Sequence, residues 1–233
     1  MRLAILSDIH SNLDALTAVL EDIDTRGVDE VVCLGDIVGY GAEPRECVAL
    51  LRERVSFAVL GNHDAAVVDR TEREFFNTHA RTAIHWTAQR LDEHSRAWLA
   101  SLPYRVSRDG MLFVHSAPRN PEGWEYIFGG FEARRHGKYF YERVCFVGHT
   151  HVPAVFALDH DGVTYDATHR FLINVGSVGQ PRDEDPRACY ALLDTVAGSF
   201  EHLRVEYDVS SAMRKILAEG LPRRLAERLA LGT

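Results

Sequence analysis

The chain contains no apolar run approaching the ~20 residues needed to cross a bilayer, no low-complexity linker and no solenoid-type repeat. A membrane-spanning protein and a repeat array are therefore not expected. The opening stretch, MRLAILSDIH, holds one arginine and a short apolar run before charges begin. That is too short for a signal peptide, so a cytoplasmic protein is expected. Cysteine is scarce. The four cysteines stand at 33, 47, 145 and 189, with no CxxC spacing, and Cys33, Cys145 and Cys189 each lie in an apolar run. They read as buried, reduced thiols rather than a disulfide framework. An excess of positive charge is also missing. The net charge of -8 speaks against nucleic acid as a bulk electrostatic partner, because phosphate backbones want a basic surface.

What is present is globular. Hydrophobic residues make up 46% and charged residues 26% of 233, enough for a full core and too apolar for disorder. Residues 2–6, 30–34 and 56–60 read as apolar strands. Helices are expected at 13–26, with Asn12 as N-cap and Gly27 as stop, and at 44–54, with Pro44 in the first turn. That alternation predicts a parallel sheet covered on both faces. Residues 71–102 read as helical, anchored by Phe75, Phe76, Ile84, Leu91, Trp98 and Leu99. Strands then dominate, at 104–107, 111–114, 144–147, 154–158, 171–175, 189–194 and 200–207. Asp-Gly pairs at 109–110 and 161–162 are hairpin signals. Helices close the chain from Ser210 or Ser211 and over 221–231. The pattern predicts two β-sheets packed face to face, each with an outer helical layer.

Polar residues gather where strands end. Asp8 and His10 follow the first strand, Asp36 the second, Asn62 and His63 the third. His115 follows the 111–114 strand, and His149 and His151 follow 144–147. Carboxyl ends of strands are where open α/β sheets bind ligands. In an extended chain, residues i and i+2 share a face, so Asp8 with His10, and His149 with His151, are expected to aim together. Mixed oxygen and imidazole donors suit manganese, iron, zinc, cobalt or nickel rather than calcium. Seven donors exceed one ion's needs, whereas two ions sharing a carboxylate would use them all.

The ordered motifs SDIH (7–10), GDIVGYG (35–41), GNHD (61–64), VHSAP (114–118) and GHTH (148–151) resemble those of the calcineurin-like metallophosphoesterase superfamily. FNTHARTAIHWT (75–86) and INVGSVGQPRD (173–183) also look like its small bacterial phosphodiesterase branch. The resemblance implies one domain over 1–233, a four-layer α/β/β/α sandwich of two packed mixed sheets. It places Asp8, His10 and His151 on one metal, Asn62, His115 and His149 on the other, and Asp36 between them, with manganese the leading candidate. A bridging hydroxide would attack small phosphodiesters or phosphomonoesters, and His63 would be catalytic without binding metal. A bis-nucleoside polyphosphate hydrolase is the alternative, which makes a nucleotide-like substrate conceivable. A non-catalytic protein-binding scaffold, as in a retromer subunit, is the remote one.

One departure from the family pattern is informative. The protein serine/threonine phosphatase branch carries Gly-Asp-x-Val-Asp-Arg-Gly, whereas this chain has Gly39 and Tyr40 in place of the second Asp and the Arg. Protein phosphatase activity of that type is disfavoured. Arg182 and Arg119 are the cations expected to replace the missing arginine at the substrate. His79 and Arg81 are further candidates on a wall formed by residues 75–86. His85, His94, His136, His160, His169 and His202 match no motif and are expected on the surface or in loops. The oligomeric state is not legible.

Overall fold

The structure, a computed structural model, describes residues 1–162 and 164–233, with Phe75 described by its backbone alone. The anchor expected at the Phe75 side chain lies outside the described residues. The first quarter of the chain follows the expected alternation: β1 (Arg2–Leu6), α1 (Leu13–Asp24), β2 (Glu30–Cys33), α2 (Pro44–Arg54) and β3 (Phe57–Ala58). These three strands pair in parallel. Asn12 caps α1, its Oδ1 accepting the Ala15 N–H at 3.2 Å.

Residues 61–102 depart from the sequence reading. Gly61-Asn62-His63-Asp64 is not a strand end but opens a short helix, α3 (Asn62–Val67). The helical stretch then splits into a 3-10 turn (Arg73–Phe75), α4 (Thr78–Arg90) and α5 (Glu93–Ser101). Asn77 and Asp92 make the breaks, their side chains accepting from Ala80 N at 3.0 Å and Ser95 N at 2.7 Å. Each offers the backbone a cap that competes with a continuous helix.

Next come β4 (Arg105–Arg108), β5 (Met111–Val114), α6 (Gly130–His136), β6 (Val144–Val147), β7 (Ala154–Ala157), β8 (Phe171–Asn174), β9 (Ala188–Asp194), β10 (Ser199–Val205), α7 (Val209–Ala218) and α8 (Arg223–Leu231). Helix α6 was not expected, since it buries only Ala133 and His136 and so shows no apolar period. Asp109-Gly110 makes the expected two-residue hairpin, with φ of 52° and 73°, the geometry that matches strand twist. Asp161-Gly162 makes none: β7 and β8 are antiparallel neighbours joined by the longer segment 158–170.

Two mixed five-stranded sheets result, in the orders β10-β9-β1-β2-β3 and β4-β5-β6-β8-β7. Strand alternation assigns their faces. Leu3, Ile5, Val32 and Leu34 of the first sheet meet Phe113, Phe146, Phe171 and Ile173 of the second in a layer between the sheets. Ala4, Leu6 and Cys33 turn the other way, onto α1, α2 and α3. Leu112, Val114, Cys145 and Leu172 face α6. Each fully buried large side chain contributes about 1.5–3 kcal/mol, and this doubled core fixes how the sheets lie on one another. All four cysteines are buried and free, as expected. Among the described residues, no helix is long and apolar enough to cross a membrane. His136 is buried and His202 half-buried, against the surface placement expected. His202 Nε2 lies 2.7 Å from the Asn174 carbonyl, so a strand contact draws it inward.

Candidate metal centre and active site

The parallel strands of both sheets deliver their carboxyl ends to one place. The expected single sheet edge is therefore two edges, β1–β3 from one sheet and β5, β6 and β8 from the other. Hydrogen bonds knit them together: His115 Nδ1 to the Leu34 carbonyl at 2.9 Å, His149 N to Asp8 Oδ2 at 3.0 Å, and Val178 N to the Ser7 carbonyl at 3.0 Å.

The chain is not extended there. Asp8, His10, Asp36, His149 and His151 have φ of 54°, 50°, 51°, 67° and 63°. Left-handed backbone is costly for such residues and clusters at functional sites. Asp8 and His10 still aim together, with His10 Nε2 3.7 Å from Asp8 Oδ1, but the i, i+2 expectation fails for the second pair. His149 and His151 separate instead of aiming together. His151 Nε2 sits 3.1 Å from His10 Nε2 and 3.2 Å from Asp8 Oδ1. His149 Nδ1 sits 3.1 Å from His115 Nε2, which in turn is 3.1 Å from Asn62 Oδ1. Asp36 Oδ2 lies between the groups, 3.6 Å from His10 Nε2 and 3.4 Å from His115 Nε2. All seven expected donors are buried and come together.

Backbone carbonyls orient the rings. His10 Nδ1 faces Val38 O at 3.2 Å, and His151 Nδ1 faces Gln180 O at 2.6 Å. His149 is reversed, with Nε2 on Trp124 O at 3.0 Å and Nδ1 turned inward. A ring N–H donated to a carbonyl fixes the tautomer and leaves the other nitrogen's lone pair free. Asp8 Oδ1, His10 Nε2 and His151 Nε2 are then three acceptors converging with no donor, and Asp8 Oδ1 has no hydrogen-bond partner among the described residues. A buried arrangement of that kind calls for a cation.

Charge supports the same reading. Burial lowers His10 and His151 well below the ordinary imidazole value and takes His149 to about 3. Burial alone would raise Asp36, but His115 and His63 beside it hold its carboxyl well below the usual range. Burial would lower His115, yet Asp36 and Asp8 push it up to about 9. Asp36 with His115 and His149 forms a second group of converging donors. This oxygen and imidazole set fits divalent transition metals.

His63 belongs to α3, and its N–H, free at the helix start, donates to Asp36 Oδ1 at 2.8 Å. Its ring packs against Tyr40 at 4.4 Å and Phe76 at 5.0 Å. Nδ1 is buried without a partner among the described residues. Gly39, with φ of 96°, lies beneath it, where an added Cβ would stand 2.4 Å from Nδ1. Gly39 thus makes room for the ring in a backbone conformation L-residues avoid. Gly39→Ala is expected to displace His63 and lower turnover about a hundredfold; steady-state kinetics on purified variant protein checks this.

Arg182 stands beside the centre. Its Nη2 donates to Gln180 Oε1 at 2.9 Å and its guanidinium lies 5.8 Å from the Tyr40 ring. Arg228 on α8 is near it: burial, then the like charge of Arg182, bring Arg228 down to about 10. Arg119 is not brought to the cluster; it is exposed and lies 5.6 Å from the Tyr139 ring. His79 is exposed and, like Arg81, does not line the cavity at the centre, whereas Phe76, Asn77 and Ala80 of the expected wall do.

Several supporting residues were missed. Asp64 accepts from Val38 N at 3.0 Å and Gly61 N at 3.2 Å, bracing the Asp36 and Asn62 turns. Asn174 Nδ2 donates to Gly148 O at 2.6 Å and Thr150 Oγ1 at 2.8 Å, holding the two-histidine turn. Ser177 Oγ donates to Asp8 O at 2.8 Å. Asp64 could have been found as the third polar residue of GNHD; Asn174 and Ser177 carry no spacing signal.

The calcineurin-like phosphoesterase superfamily domain matches residues 1–198. An uncharacterized protein of Methanocaldococcus jannaschii is 42% identical over 99% of this chain and 98% of its own. The crystal structure of a metallophosphoesterase from Sphaerobacter thermophilus shares 41% identity with a TM-score of 0.89, covering 100% of this chain and 99% of the other. A hypothetical protein of Pyrococcus horikoshii, at 21% identity, shares the fold with a TM-score of 0.82 over 100% and 98%. The chain belongs to the calcineurin-like phosphoesterase superfamily.

Proposed function

We propose that the protein is a dinuclear metal-dependent hydrolase of small phosphodiesters or phosphomonoesters. The convergence of Asp8 Oδ1, His10 Nε2 and His151 Nε2 without a donor carries this reading. Asp8, His10 and His151 would hold one divalent ion, Asn62, His115 and His149 the other, with Asp36 shared. Such a pair, when bound, supplies Lewis acidity to the phosphoryl oxygens and lowers the pKa of the attacking water. The protein's own groups do the rest. Asp36 fixes His63 through its backbone N–H. Burial takes His63 down to about 4, so in the free protein it is neutral. With Nδ1 shut against Gly39, its Nε2 is the nitrogen left to serve the leaving oxygen. A phosphate anion beside the ring opposes the burial penalty and favours the protonated form, which then hands its proton to that oxygen. Arg182, next to the Tyr40 that stands in place of the family arginine, faces the equatorial oxygens as their charge redistributes.

Hydrolysis of bis-nucleoside polyphosphates is the second reading, favoured by the paired cations Arg182 and Arg228, which suit a substrate with more than one phosphate. Turnover of bis-p-nitrophenyl phosphate and p-nitrophenyl phosphate by chelator-treated protein separates the outcomes. Activity absent from the chelated protein and restored by Mn(II) is expected. No turnover of these or of a dinucleoside polyphosphate with any divalent metal would overturn the reading.

A further inference from the structure

A cavity of about 480 Å³ opens beside Asn62, His63 and His149. That is a volume typical of small-ligand sites, far more than a phosphate group needs. Four aromatic side chains, Tyr40, Phe76, Trp124 and Tyr126, form its walls. They come largely from segments that supply no metal-facing side chain. All four are held in place. Trp124 donates from Nε1 to Thr71 Oγ1 at 3.3 Å, and its carbonyl faces His149 Nε2 at 3.0 Å. Its backbone sits at φ 53°, a costly conformation for a bulky residue, and one that clusters at ligand sites. Tyr126 lies flat on His149 with ring centroids 4.0 Å apart and planes within 16°. Phe76 meets His63 edge-on, and Tyr40 packs against the same ring at 4.4 Å.

We propose that this cavity is a ring pocket: it takes the organic group of the ester, and that group carries a flat aromatic or heteroaromatic ring. The inference rests on the phosphoesterase reading and names its substrate class. Aromatic walls favour stacking with any flat ring, largely regardless of its substituents. His63 lines the same cavity, so an alcohol held there has its oxygen next to the proton donor. Glu122 and Asn77 also line the cavity, where they can hydrogen-bond a heterocycle's edge. A carboxylate there repels a further phosphate, which leaves Arg182 and Arg228 as the anion-binding end and the aromatic cavity as the ring end.

Non-hydrolysable phosphonates test this on manganese-loaded full-length protein by isothermal titration calorimetry, with tryptophan fluorescence as a second readout. The three ligands are methylphosphonate, phenylphosphonate and the phosphonate analogue of AMP. Both ring-bearing ligands are expected to bind at least about tenfold tighter than methylphosphonate. Trp124→Ala is expected to cut that preference below about threefold, and Trp124→Phe, which keeps a ring and controls for folding, to retain it. An AMP analogue that outbinds phenylphosphonate supports the proposal with a nucleobase as the ring; equal binding supports it with a simple aryl group. Ring-independent binding by the wild type overturns it, as does a Trp124→Ala variant that weakens all three ligands alike. Ring-selective binding with no turnover of any phosphoester would sink the phosphoesterase reading and leave the pocket standing.

Discussion

Asp36→Asn is expected to lower phosphoester hydrolysis by at least about a thousandfold and to reduce bound metal below one ion per chain. The substitution keeps the shape of the side chain, so the loss is electrostatic. Asp36 Oδ1 accepts from His63 N at 2.8 Å, while Oδ2 faces His10 Nε2 and His115 Nε2 at 3.6 and 3.4 Å. An asparagine must point its NH₂ at one side or the other. Turned towards His63, it sets donor against donor; turned inward, it sets a donor where the proposed cations would lie. It also removes the one negative charge that both donor groups share. Metal analysis by mass spectrometry, together with kinetics under saturating Mn(II), measures both effects. Circular dichroism confirms that the fold is kept. A variant that retains two ions and near-normal turnover would remove Asp36 from the centre.

His63→Ala is expected to behave differently. Its metal content should stay near the wild-type level: the His63 ring lies 4.9 Å from the His10 ring and close to Asp36, but neither of the two proposed donor sets needs its nitrogen. Turnover should fall by about 10²–10⁴, the usual contribution of a positioned proton donor. The loss should grow with the basicity of the leaving group. An alkyl ester needs a proton on its departing oxygen, whereas p-nitrophenolate leaves nearly unaided. A loss equal for both esters would mean that His63 only shapes the site. The contrast with Asp36→Asn separates a residue that holds metal from one that acts beside it.

The donors themselves were legible from the chain because they are short polar motifs at the ends of apolar strands, and strand period 2 is a strong signal. The sandwich was legible for the same reason: Leu3 and Ile5 face one way, Ala4 and Leu6 the other. What the chain did not disclose is geometry carried by the backbone. His149 and His151 have left-handed φ, and no residue type in Gly-His-Thr-His announces that. GNHD was read as a strand end because its apolar neighbours on the N-terminal side dominate. Its helical character comes from the following Ala65-Ala66-Val67, too few residues to show a helical period. The carbonyls of Val38, Leu34, Gln180 and Trp124, which orient the four imidazoles, leave no trace in side-chain chemistry. Arg119 was read from proximity in sequence to His115, and proximity along a chain that turns after each strand says little about where a long side chain lies. Arg182, by contrast, is carried to the centre by a backbone bond from its N–H to the His151 carbonyl at 3.3 Å.

Central to all of this is the separation of His149 from His151. Anomalous scattering from crystals of manganese-loaded protein, with data on both sides of the metal edge, measures it directly. Two peaks roughly 3.5–4 Å apart are expected, one beside Asp8, His10 and His151 and one beside Asn62, His115 and His149, with Asp36 touching both. A single peak bound by both His149 and His151 would contradict it.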